Sequence, residues 1–263
     1  MKSYIKLSDK IFMPNIIEVE VTRDCNLKCY HCNRRSTQYP SKDHITDNAI
    51  EKFLKDSENS YKLSGFVWDK IRILGGEPTN YTRLLYFIDK MHSYCQQYGA
   101  TLEVWTNGYK EALEKLKEIP KWVRIENSNK ESTAIWYHSK CDLAPKDYGL
   151  VIEKDDLCYT KESFHKHIGT NRGMEKICGL VYTNAGYFVC GGGSGIDFVF
   201  KTDLAYNTIE ELIEDKGNKQ YKTLCQLCGE AYKMQDYARE NNLTEWQSKT
   251  WTDKLGSNKN EKQ

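Results

Sequence analysis

Short β-rich runs alternate with longer stretches of helical period in this chain, and that alternation limits its possible folds more than any single motif does. "IIEVEVT" (16–22) precedes a helix-patterned stretch near 46–57, and "KIRILGG" (70–76) precedes another near 81–98. "TLEVWTNG" (101–108) is followed by a short helix near 110–118 and then by "WVRIENS" (122–128). Such strand and helix repetition predicts an α/β fold built on a parallel sheet, open or curled into a partial barrel. A chain of 263 residues accommodates one such domain, or one with a small appendage.

In parallel α/β architectures the reactive groups collect at the C-terminal ends of the strands. Here those ends carry "RDCNLKCYHC", "GGEP", "TNG" and "ENSNK", so all four are expected to face one mouth. The pattern weakens after about residue 130, where "YGLVIE" (148–153) is read as a further strand. From Cys178, "CGLVYTNAGYFVCGGG" predicts two short strands about an Asn-Ala-Gly turn, followed by a helix over 208–215 and "CQLC" at 225–228. A charged helical stretch and the polar "GSNKNEKQ" end the chain, and the composition of this tail predicts disorder.

Lys and Arg (38) nearly balance Asp and Glu (37), which removes any net field toward nucleic acid or an anionic membrane. No stretch approaches the roughly 20 apolar residues of a membrane span, and the start lacks the apolar run of a signal peptide. The expectation is a cytoplasmic, soluble protein. Ten cysteines in a reducing compartment argue for metal rather than disulfides.

Cys25, Cys29 and Cys32 stand in C-x3-C-x2-C spacing directly after a strand. A structural zinc site takes four ligands, and the adjacency of His31 to Cys32 makes joint ligation awkward, although a distant fourth ligand keeps zinc as an alternative. Three thiolates suit a four-iron cube with one open iron. Cys178, Cys190, Cys225 and Cys228 supply four thiols, matching a closed site for a cluster or for zinc. Cys158 or Cys141 is the alternative to Cys178. Cys95, inside a helix, is read as a small buried hydrophobe.

In their order and shared position at successive strand ends, Cys25-x3-Cys29-x2-Cys32, Gly75-Gly76-Glu77-Pro78 and Thr106-Asn107-Gly108 resemble the radical S-adenosylmethionine (SAM) enzymes. The resemblance implies a partial (β/α)6 barrel over residues 1–170 whose first cluster, at Cys25, Cys29 and Cys32, leaves an iron for SAM. It also implies reductive cleavage of SAM to methionine and a 5'-deoxyadenosyl radical, which takes a hydrogen atom from the substrate. By position, Gly75 and Gly76 bring backbone carbonyls to the methionine ammonium, Glu77 adds a charged contact and Pro78 stiffens the turn. His31 occupies the slot near the adenine, Ser128 or its neighbours Glu126 and Asn127 end the strand that contacts ribose, and Asn107 faces the mouth, with a plain cap the alternative at the strand end and a plain turn the alternative for Asn107.

Residues 178–230, with Gly186 before Cys190, resemble the truncated SPASM module called twitch, a hairpin plus helix holding one auxiliary four-iron cluster. On that resemblance residues 171–235 form the auxiliary module, and 236–263 a C-terminal helix and disordered tail. The implied reaction is oxidation of a polar small-molecule or peptide substrate, the auxiliary cluster accepting an electron and an external donor such as flavodoxin or ferredoxin supplying one. A redox-neutral isomerase, or a modifier of a peptide or nucleotide, is the alternative within the family. A metal-binding or electron-transfer protein without enzymatic activity is the alternative outside it. No membrane partner is expected, nucleic acid is disfavoured but left open, and no general base is assigned.

Overall fold

Alternation within each strand decides how the sheet is buried, because successive side chains point to opposite faces. The computed structural model describes residues 4–6, 12–29, 32–36, 38–109, 111–128, 141–153 and 180–260. After a small antiparallel pair, β1 (Tyr4–Lys6) and β2 (Phe12–Pro14), come β3 (Ile16–Thr22), β4 (Lys70–Gly75), β5 (Thr101–Thr106) and β6 (Arg124–Asn127). These four strands are parallel neighbours and are joined through α1 (Asp47–Ser64), α2 (Leu84–Tyr98) and α3 (Glu111–Leu116). The α/β class expected from the alternation is therefore observed, with element boundaries within a few residues except at the end of α1.

One face of the sheet is apolar. Ile17, Val19 and Val21 of β3, Ile71 and Ile73 of β4, and Leu102 and Val104 of β5 pack on Ile50 and Phe53 of α1 and Phe87, Ile88 and Met91 of α2. Thr46 caps α1 by accepting the Ala49 N–H at 3.3 Å, and Gly65 and Gly99 close α1 and α2 with left-handed backbones. Cys95 lies in this core, its thiol pushed up to about 11 by burial.

The other face is charged and equally buried. Glu18 and Glu20 of β3, Arg72 of β4 and Glu103 of β5 are all at or below 5% exposure. They are paired rather than solvated: Arg72 lies 3.1 Å from Glu103 and 3.9 Å from Glu18, Lys70 lies 3.3 Å from Glu103, and Arg34 pairs with Glu18. Arg72 also lies over the Trp105 ring at 4.6 Å.

Three regions depart from the sequence expectation. The hairpin β7 (Leu180–Thr183) and β8 (Gly186–Phe188) forms as read, but it is continuous with the main sheet rather than standing apart. β7 runs parallel to β3, with Ile17 opposite Leu180, and gives the strand order β6-β5-β4-β3-β7-β8. Five of these six strands are parallel and β8 is antiparallel. A helix that glycine content argued against, α4 (Gly191–Phe200), follows directly; its Ile196 and Val199 pack on Val181 and Phe188. Residues 149–153 form no strand, since Pro145–Tyr148 wind into a short 3-10 turn ended by Gly149 at φ 71°. Beyond α5 (Ile209–Asp215), α6 (Asn218–Tyr221) and α7 (Tyr232–Glu240), α8 (Lys249–Asn260) extends helix into the tail read as disordered. Trp251 anchors it in the α4 core.

Removing one member of the charged face takes a buried partner from the others. Arg72→Ala leaves Glu18 and Glu103 buried without their shared partner and is expected to cost about 3–5 kcal/mol in denaturant unfolding. Burial works to raise the Glu103 pKa, but the Trp105 indole, Lys70 and Arg72 outweigh it and hold the carboxyl below its ordinary value. Its stabilisation is complete above the ordinary Glu value of about 4.3 and is lost as pH falls through the lower folded value. Glu103→Gln should therefore flatten the acid limb of the stability curve.

Candidate iron-sulfur and cofactor site

The three-cysteine loop leaves the end of β3 and is fastened by backbone before any side chain acts. Gly76 N–H donates to Thr22 O and Glu77 N–H to Asp24 O, both at 2.8 Å. These contacts explain the two glycines directly. A Cβ on Gly75, at φ 150°, would lie 2.1 Å from Thr22 O, and one on Gly76 would lie 2.1 Å from Asp24 O. The observed glycine requirement thus comes from the cysteine loop pressing against the turn after β4.

Glu77 is fully buried, and its carboxylate is occupied within the protein. It accepts from the Thr79 N–H (3.2 Å), the Thr79 hydroxyl (2.9 Å), the Thr106 hydroxyl (2.8 Å) and the Asn107 N–H (2.8 Å). The sequence reading gave Glu77 a contact to bound methionine; the contacts present in the structure tie the ends of β4 and β5 together. Pro78 opens the short 3-10 turn that follows.

Asn107 continues the chain of contacts. Its side-chain amide donates to Asn26 Oδ1 at 2.8 Å and lies 4.0 Å from Cys25 Sγ, so the end of β5 touches the cysteine loop. Ser128, at the end of β6, donates both its N–H and its hydroxyl to Thr106 O, at 3.0 and 2.9 Å. All four strand ends therefore meet at one mouth. His31, Cys158 and Cys178 lie outside the described residues.

Burial pushes the Cys25 thiol up to about 12, opposed by the Leu27 N–H and reinforced by the nearby Cys32, Glu77 and Cys29. Thiolates crowded into one short loop take a cationic group among them, and three of them are the donor set of an iron cube with one open iron. A lone zinc would hold its sulfurs about 2.3 Å away. Among the described residues, no three Cys, His, Asp or Glu side chains converge for a single ion.

A second set of thiols lies in the C-terminal third of the chain, where Cys190 and Cys228 act on Cys225. Cys190 is the N-cap of α4, its Sγ accepting the Gly193 N–H at 3.2 Å. Cys225 and Cys228 flank a 3-10 turn. Burial raises the Cys225 thiol well above its ordinary value, with Cys190 and Cys228 adding to the effect. Burial likewise pushes Cys228 up to about 11. Cys141, considered above only as a substitute ligand, is fully buried, and its carbonyl accepts the Gly229 N–H at 2.9 Å.

The sequence reading did not single out Arg34 and Arg35, both buried and only two and three residues after Cys32. Arg34 pairs with Glu18 and occupies the space a Cβ on Gly191 would need. Arg35, at φ 59°, lies 3.4 Å from Asp142, donates to Cys141 O at 3.1 Å, and has the Trp251 ring 5.1 Å away. Burial alone would weaken its charge, but Cys141, Asp142, Cys228 and Glu230 hold its pKa above the ordinary value. The paired arginines beside "CYHC" and the glycine run in "CGGGSG" were the available signal, complementary only once folded.

Residues 19–129 match the family described as a 4Fe-4S single cluster domain. Over 141 residues the chain is 26% identical to a probable GTP 3',8-cyclase of Thermococcus kodakarensis, an alignment covering 54% of this chain and 39% of that protein. The chain thus spans about two fifths of that relative. Among solved structures, BtrN in complex with AdoMet and 2-DOIA superposes with a TM-score of 0.43 at 16% identity, covering 81% of this chain and 92% of that one. Streptococcus suis SuiB bound to precursor peptide SuiA gives 0.29 at 20% identity, covering 44% and 24%. Among the described residues, no helix is long and apolar enough to cross a membrane.

The glycine contacts give a direct test. Gly76→Ala should displace the Asp24 carbonyl and with it the cysteine loop, lowering the iron the protein takes up. Iron and sulfide analysis after anaerobic reconstitution reads that loss.

Proposed function

We propose that this chain is a radical SAM enzyme that oxidises a polar substrate and carries a second, auxiliary four-iron cluster. The observation that carries this reading is the interlock of "RDCNLKC", "GGEP" and "TNG" at one mouth, where Asn107 and the neighbours of Glu77 hold the three-cysteine loop at the strand ends. Cys25, Cys29 and Cys32 would hold a cube with one iron open. When bound, the cube and SAM supply a 5'-deoxyadenosyl radical by one-electron cleavage at the expense of an external donor such as flavodoxin or ferredoxin. The protein's part is to orient and to exclude water.

In this reading Gly75, Gly76 and Pro78 shape the rim beside the methionine end of SAM, and Glu77 serves by fixing that rim. The family resemblance assigns the adenine to His31, which is outside the described residues, and the ribose to Ser128. Asn107 sits against the cysteine loop and steadies Cys25. Cys190, Cys225 and Cys228, with Cys178 as the fourth thiolate, would hold the auxiliary cluster. Oxidation then balances as loss of one hydrogen atom to the radical, one proton to solvent or a base, and one electron to that cluster. The substrate is a small polar molecule or a peptide, and the setting is cytoplasmic.

The test is anaerobic incubation of the reconstituted protein with SAM and dithionite. Release of 5'-deoxyadenosine and methionine is expected, and its abolition in the variant with Cys25, Cys29 and Cys32 all changed to Ala. Wild type should hold about eight irons and that variant about four. Absence of 5'-deoxyadenosine from protein with a full first cluster would sink the reading.

A further inference from the structure

The segment that follows the first cysteine set, at Arg35, meets the start of the helix capped by Cys190 at Gly192, two positions after that cysteine. A Cβ there would lie 3.4 Å from Glu230 Oε2, 3.8 Å from Arg35 Nη1 and 3.9 Å from Cys190 Sγ. One carboxylate, one guanidinium and one thiol thus surround the same backbone. Arg35 Nη1 also reaches the Gly192 carbonyl at 3.5 Å. The guanidinium is entirely buried, and Glu230 lies two residues after Cys228.

Arg35 also meets Asp142, the carbonyls of Asn33 and Cys141, the thiols of Cys141 and Cys228, and the Trp251 ring. The helix bearing Cys190 needs glycine on the side that meets this tract. A Cβ on Gly195 would lie 3.0 Å from both Arg35 Cδ and Asn33 O. The segment leaving the first cysteine site is thereby seated on the helix that begins the second, and it carries a fixed positive charge there.

Resting on the reading of a second cluster above, we propose that Arg35 is a positioning residue that sets the reduction potential of the iron-sulfur group held by Cys190, Cys225 and Cys228, with Glu230 as the opposing charge. Reduction adds one negative charge to a cluster. A buried cation nearby favours the reduced form and a nearby carboxylate disfavours it, both strengthened by the low local dielectric. Arg35 therefore raises the potential, making that cluster a better acceptor for an electron leaving the substrate, and Glu230 lowers it.

The test is an EPR-monitored redox titration of the anaerobically reconstituted full chain. The second signal is the one that persists when Cys25, Cys29 and Cys32 are all Ala. Arg35→Gln should move that signal to lower potential, so that at the wild-type midpoint its reduced-to-oxidised ratio falls about tenfold, or about 59 mV for one electron. Arg35→Lys should restore most of the ratio, and Glu230→Gln, a change at a half-buried side chain, should move it the other way. Opposite signs for the two charges cannot arise from loosened packing, and Glu230→Gln tests the proposal even if Arg35→Gln fails to fold. A midpoint unmoved by Glu230→Gln, a shift of the same sign in both variants, or equal shifts in both signals would overturn the role of Arg35. Absence of iron from the triple-Ala variant would instead remove the second cluster itself, an outcome visible before any titration.

Discussion

The contact on which the site depends is the close passage of the Thr22–Asp24 backbone over Gly75 and Gly76. A cysteine loop has few internal hydrogen bonds, so its position is borrowed from its neighbours. Here two backbone hydrogen bonds and two absent Cβ atoms bring the loop to the turn after β4, and Glu77 transmits that position to β5 through Thr106 and Asn107. Asn107 returns the contact to Asn26 and the edge of Cys25. The result is a closed ring of strand ends whose geometry no single member sets alone.

The charged face of the sheet connects this ring to the C-terminal third. Glu18 and Glu20 alternate with the apolar residues of β3, and Arg34, leaving the cysteine loop, turns back to pair with Glu18. Burying such pairs is not in itself strongly stabilising, since desolvation offsets much of the attraction. Their effect is directional: a cation after Cys32 has one place to go, and α4 can then pack only where glycines leave room for it. The glycine run that weakens α4 as an isolated helix is what lets it lie on Arg34 and Arg35.

Much of this was legible in local sequence. Strand and helix periods are local properties, so β3 to β6 and α1 to α3 appear in the sequence close to where they form. The hairpin was legible for the same reason, because Asn184 and Ala185 separate two short β-rich runs. Its pairing with β3 was not, because the partner strand lies more than 150 residues earlier and leaves no local trace. The sequence "YGLVIE" looks like a strand but follows a proline-led turn and finds no partner strand. The polar stretch from Gly256 looked disordered because its composition is polar, and the core contact of α8 is made earlier in the helix, at Trp251.

The sequence by itself determined the order of the motifs, the spacing of the cysteines and the α/β class, since each rests on residue chemistry and spacing within a few turns of chain. Tertiary structure decided the rest. It made Gly75 and Gly76 necessary through the approach of Thr22 and Asp24, committed the Glu77 carboxylate to holding strand ends, and placed Arg35 beside Glu230 and Cys190 around Gly192. These are contacts between segments far apart in the chain, and a buried charge acquires its role only from what it is buried against.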